Sequence, residues 1–120
     1  MDAREKMSAI GPPVPELPVV DVERAQRYYR DALGFDIGWL EPDKGIGSVS
    51  RENFAMFLRK RCEPFEPAIH WMFAVDLDAT YEELMSLGAQ IVEPPETKPW
   101  GLRQFTVKDL DGNVFYFHHG

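Results

Sequence analysis

A chain of 120 residues has room for one domain with a real core, and 44% apolar residues with eight Phe, four Tyr and three Trp are ample to build it. No apolar run approaches the roughly 20 residues that a membrane helix needs, so a membrane span is excluded and no membrane partner is expected. The net charge of -7 sits mostly in residues 61–120, where ten acids face four bases; this field disfavours nucleic acid and anionic lipid and favours cationic ligands.

The first residues, 1–13, carry charges of both signs and no apolar h-region, and read as a flexible tail rather than a secretory signal. With one cysteine, Cys62, no intrachain disulfide can form, and a cytoplasmic setting is expected. Cys62 lies in a polar stretch and reads as a linker thiol, not a nucleophile.

From Val14 to Val19 a Pro-interrupted segment predicts an edge strand, because Pro15 and Pro18 cannot donate ladder hydrogen bonds. Asp21 then caps a helical pattern whose apolar stripe is Val22, Ala25, Tyr29, Ala32 and Leu33, and Gly34 ends it. Three strands are expected next, at Phe35 to Leu40, Ile46 to Arg51 and Phe54 to Arg59, with turns at Pro42 to Gly45 and Glu52-Asn53. Residues 61–68, with two prolines and no periodicity, form a linker. The order then repeats: a strand at His70 to Val75, a helix capped by Asp76 or Asp78 with Tyr81, Leu84 and Met85 inward, a stop at Gly88, and strands at Gln90 to Glu93, Arg103 to Val107 and Val114 to His118. Asp109-Leu110-Asp111-Gly112-Asn113 supplies the final hairpin, and a Pro-rich loop from Pro94 to Gly101 carries Trp100.

The fold class is therefore α+β, two β-α-β-β-β modules at residues 14–60 and 69–120. These paired units, with VVDVERAQRYYRDALGF, HWMFAVDLDATYEEL and WGLRQFTVKDLDGNVFYF, resemble the glyoxalase, bleomycin-resistance and dioxygenase (vicinal oxygen chelate) superfamily. The resemblance implies that the sheets curl into an incomplete barrel, or cup, with helices outside and a ligand site inside, in a homodimer that can exchange modules between chains. Short units whose sheets have one uncovered face support a dimer independently.

Superfamily enzymes hold a divalent cation with inward His, Glu or Gln side chains, and the resemblance places those positions at residues that cannot replace them. Seven before Asp21 stands Val14, and three after Asn113 stands Tyr116. The fourth strand offers only Phe54-Ala55-Met56-Phe57-Leu58. At the start of the second unit His70 fits if counted from Phe73-x-Val75, while counting back seven from Asp76 gives Ile69. One imidazole cannot hold a catalytic cation, and His118 and His119, as strand neighbours, point to opposite faces. No metal and no cofactor are expected.

An aromatic, polarisable lining takes the metal's place: Trp39, Met56, His70, Trp100 and Tyr116 are the expected ligand contacts. Trp71, Phe73, Phe115 and Phe117 are expected to alternate away into the core. The leading functional expectation is a metal-free protein similar to bleomycin-resistance proteins, sequestering a small aromatic, cationic compound. The alternative is a lyase, isomerase or dioxygenase of the superfamily, metal-dependent or with His70 as its catalytic base; no other catalytic residue is indicated. A third reading is an interaction module.

Overall fold

The computed structural model describes residues 8–120, so residues 1–7 of the expected tail lie outside it. Helix α1, Val22–Leu33, begins where Asp21 accepts the Arg24 amide at 3.1 Å, satisfying one of the donors left free in a first turn. Its five expected apolar residues are all buried, joined by Gln26. The helix stops at Gly34, which is left-handed at φ 74°, and the Phe35 amide returns to the Tyr29 carbonyl.

The apolar face of α1 covers a four-stranded sheet made of β1 (Glu16–Val19), β2 (Asp36–Glu41), β3 (Ile46–Arg51) and β4 (Phe54–Lys60). Their order is β1-β4-β3-β2; β1 runs parallel to β4, and the others are antiparallel. Leu17, Val49, Met56 and Leu58 point at the helix and are fully buried, which leaves Phe57 and Arg59 on the opposite face.

Between β2 and β3 the ladder slips by one residue, so that Gly38 and Trp39 stand where a regular strand would have one. Ser48 anchors this bulge by accepting the Trp39 amide at 3.0 Å, and Gln26 of α1 donates to the Trp39 and Ser48 carbonyls. A Cβ on Gly38 would lie 2.1 Å from the Ser48 hydroxyl, so only glycine fits. The bulge turns the Trp39 ring onto the face that carries Phe57.

The second unit repeats the plan. Strand β5 (Ile69–Phe73) leads to α2 (Leu77–Leu87), capped by Asp76 through the Ala79 amide at 3.1 Å and stopped by left-handed Gly88. Strands β6 (Gln90–Thr97), β7 (Arg103–Lys108) and β8 (Val114–His119) complete the sheet β5-β8-β7-β6. The expected stripe of α2 is only partly realised: Leu77 and Leu84 are buried, Tyr81 is half-buried against Phe105, and Met85 is exposed. Strand β6 runs four residues past its expected end. Pro94 and Pro95 are tolerated because β6 is an edge strand with two irregularities in its pairing with β7.

The units join through one buried polar cluster. Asp109, beside the β7–β8 hairpin, accepts the Tyr29 hydroxyl at 2.6 Å, the Asn113 side chain at 2.8 Å and the amides of Asp111 and Asn113. Asn113 in turn donates to the Pro18 carbonyl and accepts the Ala68 amide at 2.7 Å. Burial and the adjacent carboxylate push the Tyr29 phenol well above its usual range, keeping it a donor. Around the cluster Tyr29 packs edge-on against Phe35 and Phe115, so the core is continuous between the units.

Three stability effects follow. Asp21→Ala is expected to cost about 1 kcal/mol by freeing a first-turn amide. Gly34→Val should cost more, since it strains a positive φ and brings a Cβ within 2.8 Å of the Arg51 guanidinium. Tyr29→Phe, which takes a donor from a buried carboxylate, should cost about 1–3 kcal/mol. Urea unfolding of the three variants checks all of them; a neutral Tyr29→Phe would contradict the role given to the cluster.

Candidate functional site

In each sheet one face meets the helices and the other is open, and the pairing of β5 with β8 decides which residues share the second sheet's open face. The register sets Trp71 beside Tyr116, Phe73 beside His118 and His70 beside Phe115. Parallel partners project to the same side, so Trp71, Phe73, Tyr116 and His118 share the open face, while His70 goes with the buried Phe115 toward the helices.

This reverses the sequence-based assignment of β5. His70 was expected to line the cup with Tyr116, and Trp71 and Phe73 to pack in the core. Counting from Phe73-x-Val75 placed the strand one residue out of register, and such a slip exchanges every side chain between faces. Counting back from Asp76 identifies Ile69 as the equivalent of Val14, and both are exposed. Phe115 and Phe117 do point inward as expected, Phe117 stacking on Phe105 with ring centroids 5.0 Å apart.

Met56 also departs from its expected place. It is 1% exposed beneath α1 and cannot reach a ligand on the open face; the residue of β4 that does reach that face is Phe57. Trp39 lies against Phe57 at 5.1 Å, as the open-face lining of the first sheet. Trp100 belongs to the second sheet, where its indole N–H donates to Gln104 at 3.1 Å from the loop after β6.

The second sheet's open face is thus an aromatic floor. Trp71 and Tyr116 lie 4.6 Å apart at a shallow angle, and His118 stands edge-on to both Trp71 and Phe73 at 5.8 Å. Across β7 the same face continues with Thr106 opposite Tyr116 and Gln104 opposite His118. Glu93 and Glu96 of β6 border it, with Lys98 bridging both carboxylates. Trp39 and Phe57 lie on the other sheet of the same chain, and no ring contact joins them to Trp71, Trp100 or Tyr116 among the described residues.

Next to this floor runs a groove of about 730 Å³ between the units, lined by Leu33, Phe35 and Phe54 on one side and by Trp71, Phe73 and Thr80 on the other. Its strongest polar groups are already committed. Arg51 forms a two-pronged ion pair with Glu83 and donates to the Leu33 carbonyl, and the pair holds the guanidinium above its usual pKa.

The residues at the superfamily's metal positions do not fit a divalent cation. Val14 and Ile69 have no donor atom, Tyr116 offers only a phenol that stacks on Trp71, and His70 faces the other way. Among the described residues no group of three or more His, Cys, Asp or Glu stands together. Cys62 is exposed in the linker.

A family model described as the Glyoxalase/Bleomycin resistance protein/Dioxygenase superfamily matches residues 10–117, and the chain belongs to that superfamily. Its fold is shared with TioX from Micromonospora sp. ML1, at 26% identity over 88% of this chain and 95% of that one, with a TM-score of 0.74. The bleomycin-binding protein of Streptomyces verticillus, solved with copper(II)-bleomycin, matches at 24% identity over 95% and 99% of the two chains, with a TM-score of 0.78. An uncharacterised Bacillus subtilis (strain 168) protein, YraH, is 29% identical over 80% of this chain and 88% of its own. No helix among the described residues is long and apolar enough to cross a membrane.

The placement of His70 has a consequence for pH. Loss of hydration lowers its pKa below 6.5, while its Nε2 is buried without a partner and its Nδ1 lies 2.8 Å from the Ile69 carbonyl. The folded state therefore gives up this proton before the unfolded chain does. Stability is greatest above pH 6.5 and falls as pH drops from there through the folded value. In His70→Phe that part of the decline should disappear. Urea midpoints at about pH 7.5 and about pH 5.5 measure it; an unchanged decline would show that His70 is freely solvated.

Proposed function

We propose that this protein is a small-molecule-binding member of the superfamily, similar to the bleomycin-binding proteins, which sequesters a flat, aromatic, cationic compound without a metal. The observation that carries this reading is the division of aromatic residues between the two faces of the second sheet. Phe105, Phe115 and Phe117 pack inward, whereas Trp71, Phe73, Tyr116 and Trp100 are on the open side with His118. Core packing needs no such lining there, and stacking on it suits a planar ligand. A cation gains further from the aromatic faces, from the bordering carboxylates and from the acidic C-terminal half.

A second copy completes the site in this reading. Trp39, Ile69, Trp71, Phe73 and Trp100 are all 46% exposed or more, large apolar side chains that a second copy would cover. In a homodimer the open face of one copy's first sheet, with Trp39 and Phe57, would close over the other's second sheet, and the ligand would lie between tryptophans of both. His70 faces away, so this lining provides no base from β5.

A thermal-shift screen of cationic aromatics beside anionic and neutral ones of equal size tests the ligand class. Cationic compounds should stabilise the protein, less so as salt rises, and Trp71→Ala or Trp100→Ala should weaken binding at least tenfold. Stabilisation by anionic compounds alone would overturn the reading. Light scattering should report twice the 13.8 kDa chain mass at micromolar concentration; a stable monomer would remove the dimer.

A further inference from the structure

Two polar atoms on the open face of the second sheet are shielded from solvent and have no partner: Thr106 Oγ1 and His118 Nδ1. Thr106 is 4% exposed, and its strand neighbours Phe105 and Val107 are wholly buried on the other side. A buried hydroxyl without a bond costs stability that a methyl group would not, so a site keeping one there has a reason outside the fold.

Their surroundings indicate what the reason is. Thr106 pairs with Tyr116, whose other neighbour is Trp71; His118 pairs with Gln104, and its other neighbour is Phe73. The two groups are therefore diagonal neighbours on adjacent strands, with Cβ atoms about 7–8 Å apart, at the edge of the aromatic floor. Gln104 is held by the Trp100 indole, so it is not simply a solvated neighbour. Trp71, Phe73, Gln104 and Tyr116 beside the two groups carry no formal charge, and Glu93, which pairs with Thr106 from β6, has its carboxylate bridged by Lys98 at 3.2 Å.

We infer that Thr106 and His118 form a hydrogen-bonding handle that selects flat aromatic ligands bearing a neutral edge with both a donor and an acceptor, as in a carboxamide. A threonine hydroxyl can give or take a hydrogen bond, and a neutral imidazole offers one nitrogen of each kind. A ligand stacked on Trp71 and Tyr116 brings its edge to these groups; a carboxamide can meet both whichever ring nitrogen of His118 carries the proton, an edge able only to accept meets both only when that proton is on Nδ1, and an edge able to do neither meets none. This inference rests on the stacking site proposed above and adds selectivity to it.

Three probes sharing a trimethylammonio-naphthalene core and differing at one ring position, carboxamide, acetyl or isopropyl, separate stacking from the handle. Isothermal titration with wild type should show the carboxamide bound about tenfold more tightly than the isopropyl compound, with acetyl between them. Thr106→Val and His118→Phe should each remove most of that preference, bringing carboxamide affinity toward the isopropyl value measured with the same variant. Without ligand, Thr106→Val should melt at or above the wild-type temperature, since it exchanges an unpartnered hydroxyl for a methyl group.

Equal binding of the three probes by wild type would overturn the handle and leave the stacking site standing. So would variants that loosen self-association but keep the carboxamide preference, because the two groups would then meet a second copy. A lower melting temperature for ligand-free Thr106→Val would show that the hydroxyl serves the fold. If wild type binds none of the probes, both the handle and the stacking site fail.

Discussion

Everything about which surfaces this molecule hides and which it shows depends on the buried carboxylate of Asp109. A charge in the core is tolerable only when fully hydrogen-bonded, and here the donors come from both halves of the chain. Tyr29 fixes α1, Asn113 fixes the end of β1 and the linker, and Asp111 receives the Val20 amide from outside the cluster. With α1 fastened to the second unit's hairpin, the helix-covered sides of the sheets share one core. Their other sides are left open.

Much of this was legible because it is written in local chemistry. Asp21, Gly34, Asp76 and Gly88 sit where helices must start and stop, and the Asp-Gly-Asn hairpin has the residues that its turn requires. What the sequence does not display is the parity of a short strand. In Ile69-His70-Trp71-Met72-Phe73 one polar side chain stands among four apolar ones, and the polar one turns inward because its register pairs it with the buried Phe115. Met56 was misplaced for a related reason: Phe54 to Leu58 has no polar residue to mark its outer face, and only pairing with Val49 shows which way it points. Strand β6 ran longer than expected because proline is excluded from a ladder only where its missing N–H would be needed.

The aromatic residues show a division of labour that composition alone conceals. In the second sheet Phe105, Phe115 and Phe117 fill the space on the helix side. The indole, phenol and imidazole rings of Trp71, Tyr116 and His118 stand on the side that has yet to be covered. The bulge at Gly38 does the same for the first sheet, turning an indole outward without disturbing the valine and leucine layer beneath.

The separation of the clasp from the aromatic floor bears on how such a protein changes over generations. Asp109, Tyr29 and Asn113 are bound to one another and to backbone from three parts of the chain, so a substitution at any of them must be answered by others. Thr106 Oγ1 and His118 Nδ1 have no hydrogen bond to the rest of the molecule, and Trp71 packs against the rings of Tyr116 and His118 on its own face. Residues on the floor can therefore be exchanged singly, with the scaffold indifferent to the result. A lineage built this way can acquire a new chemical preference through individually tolerated steps.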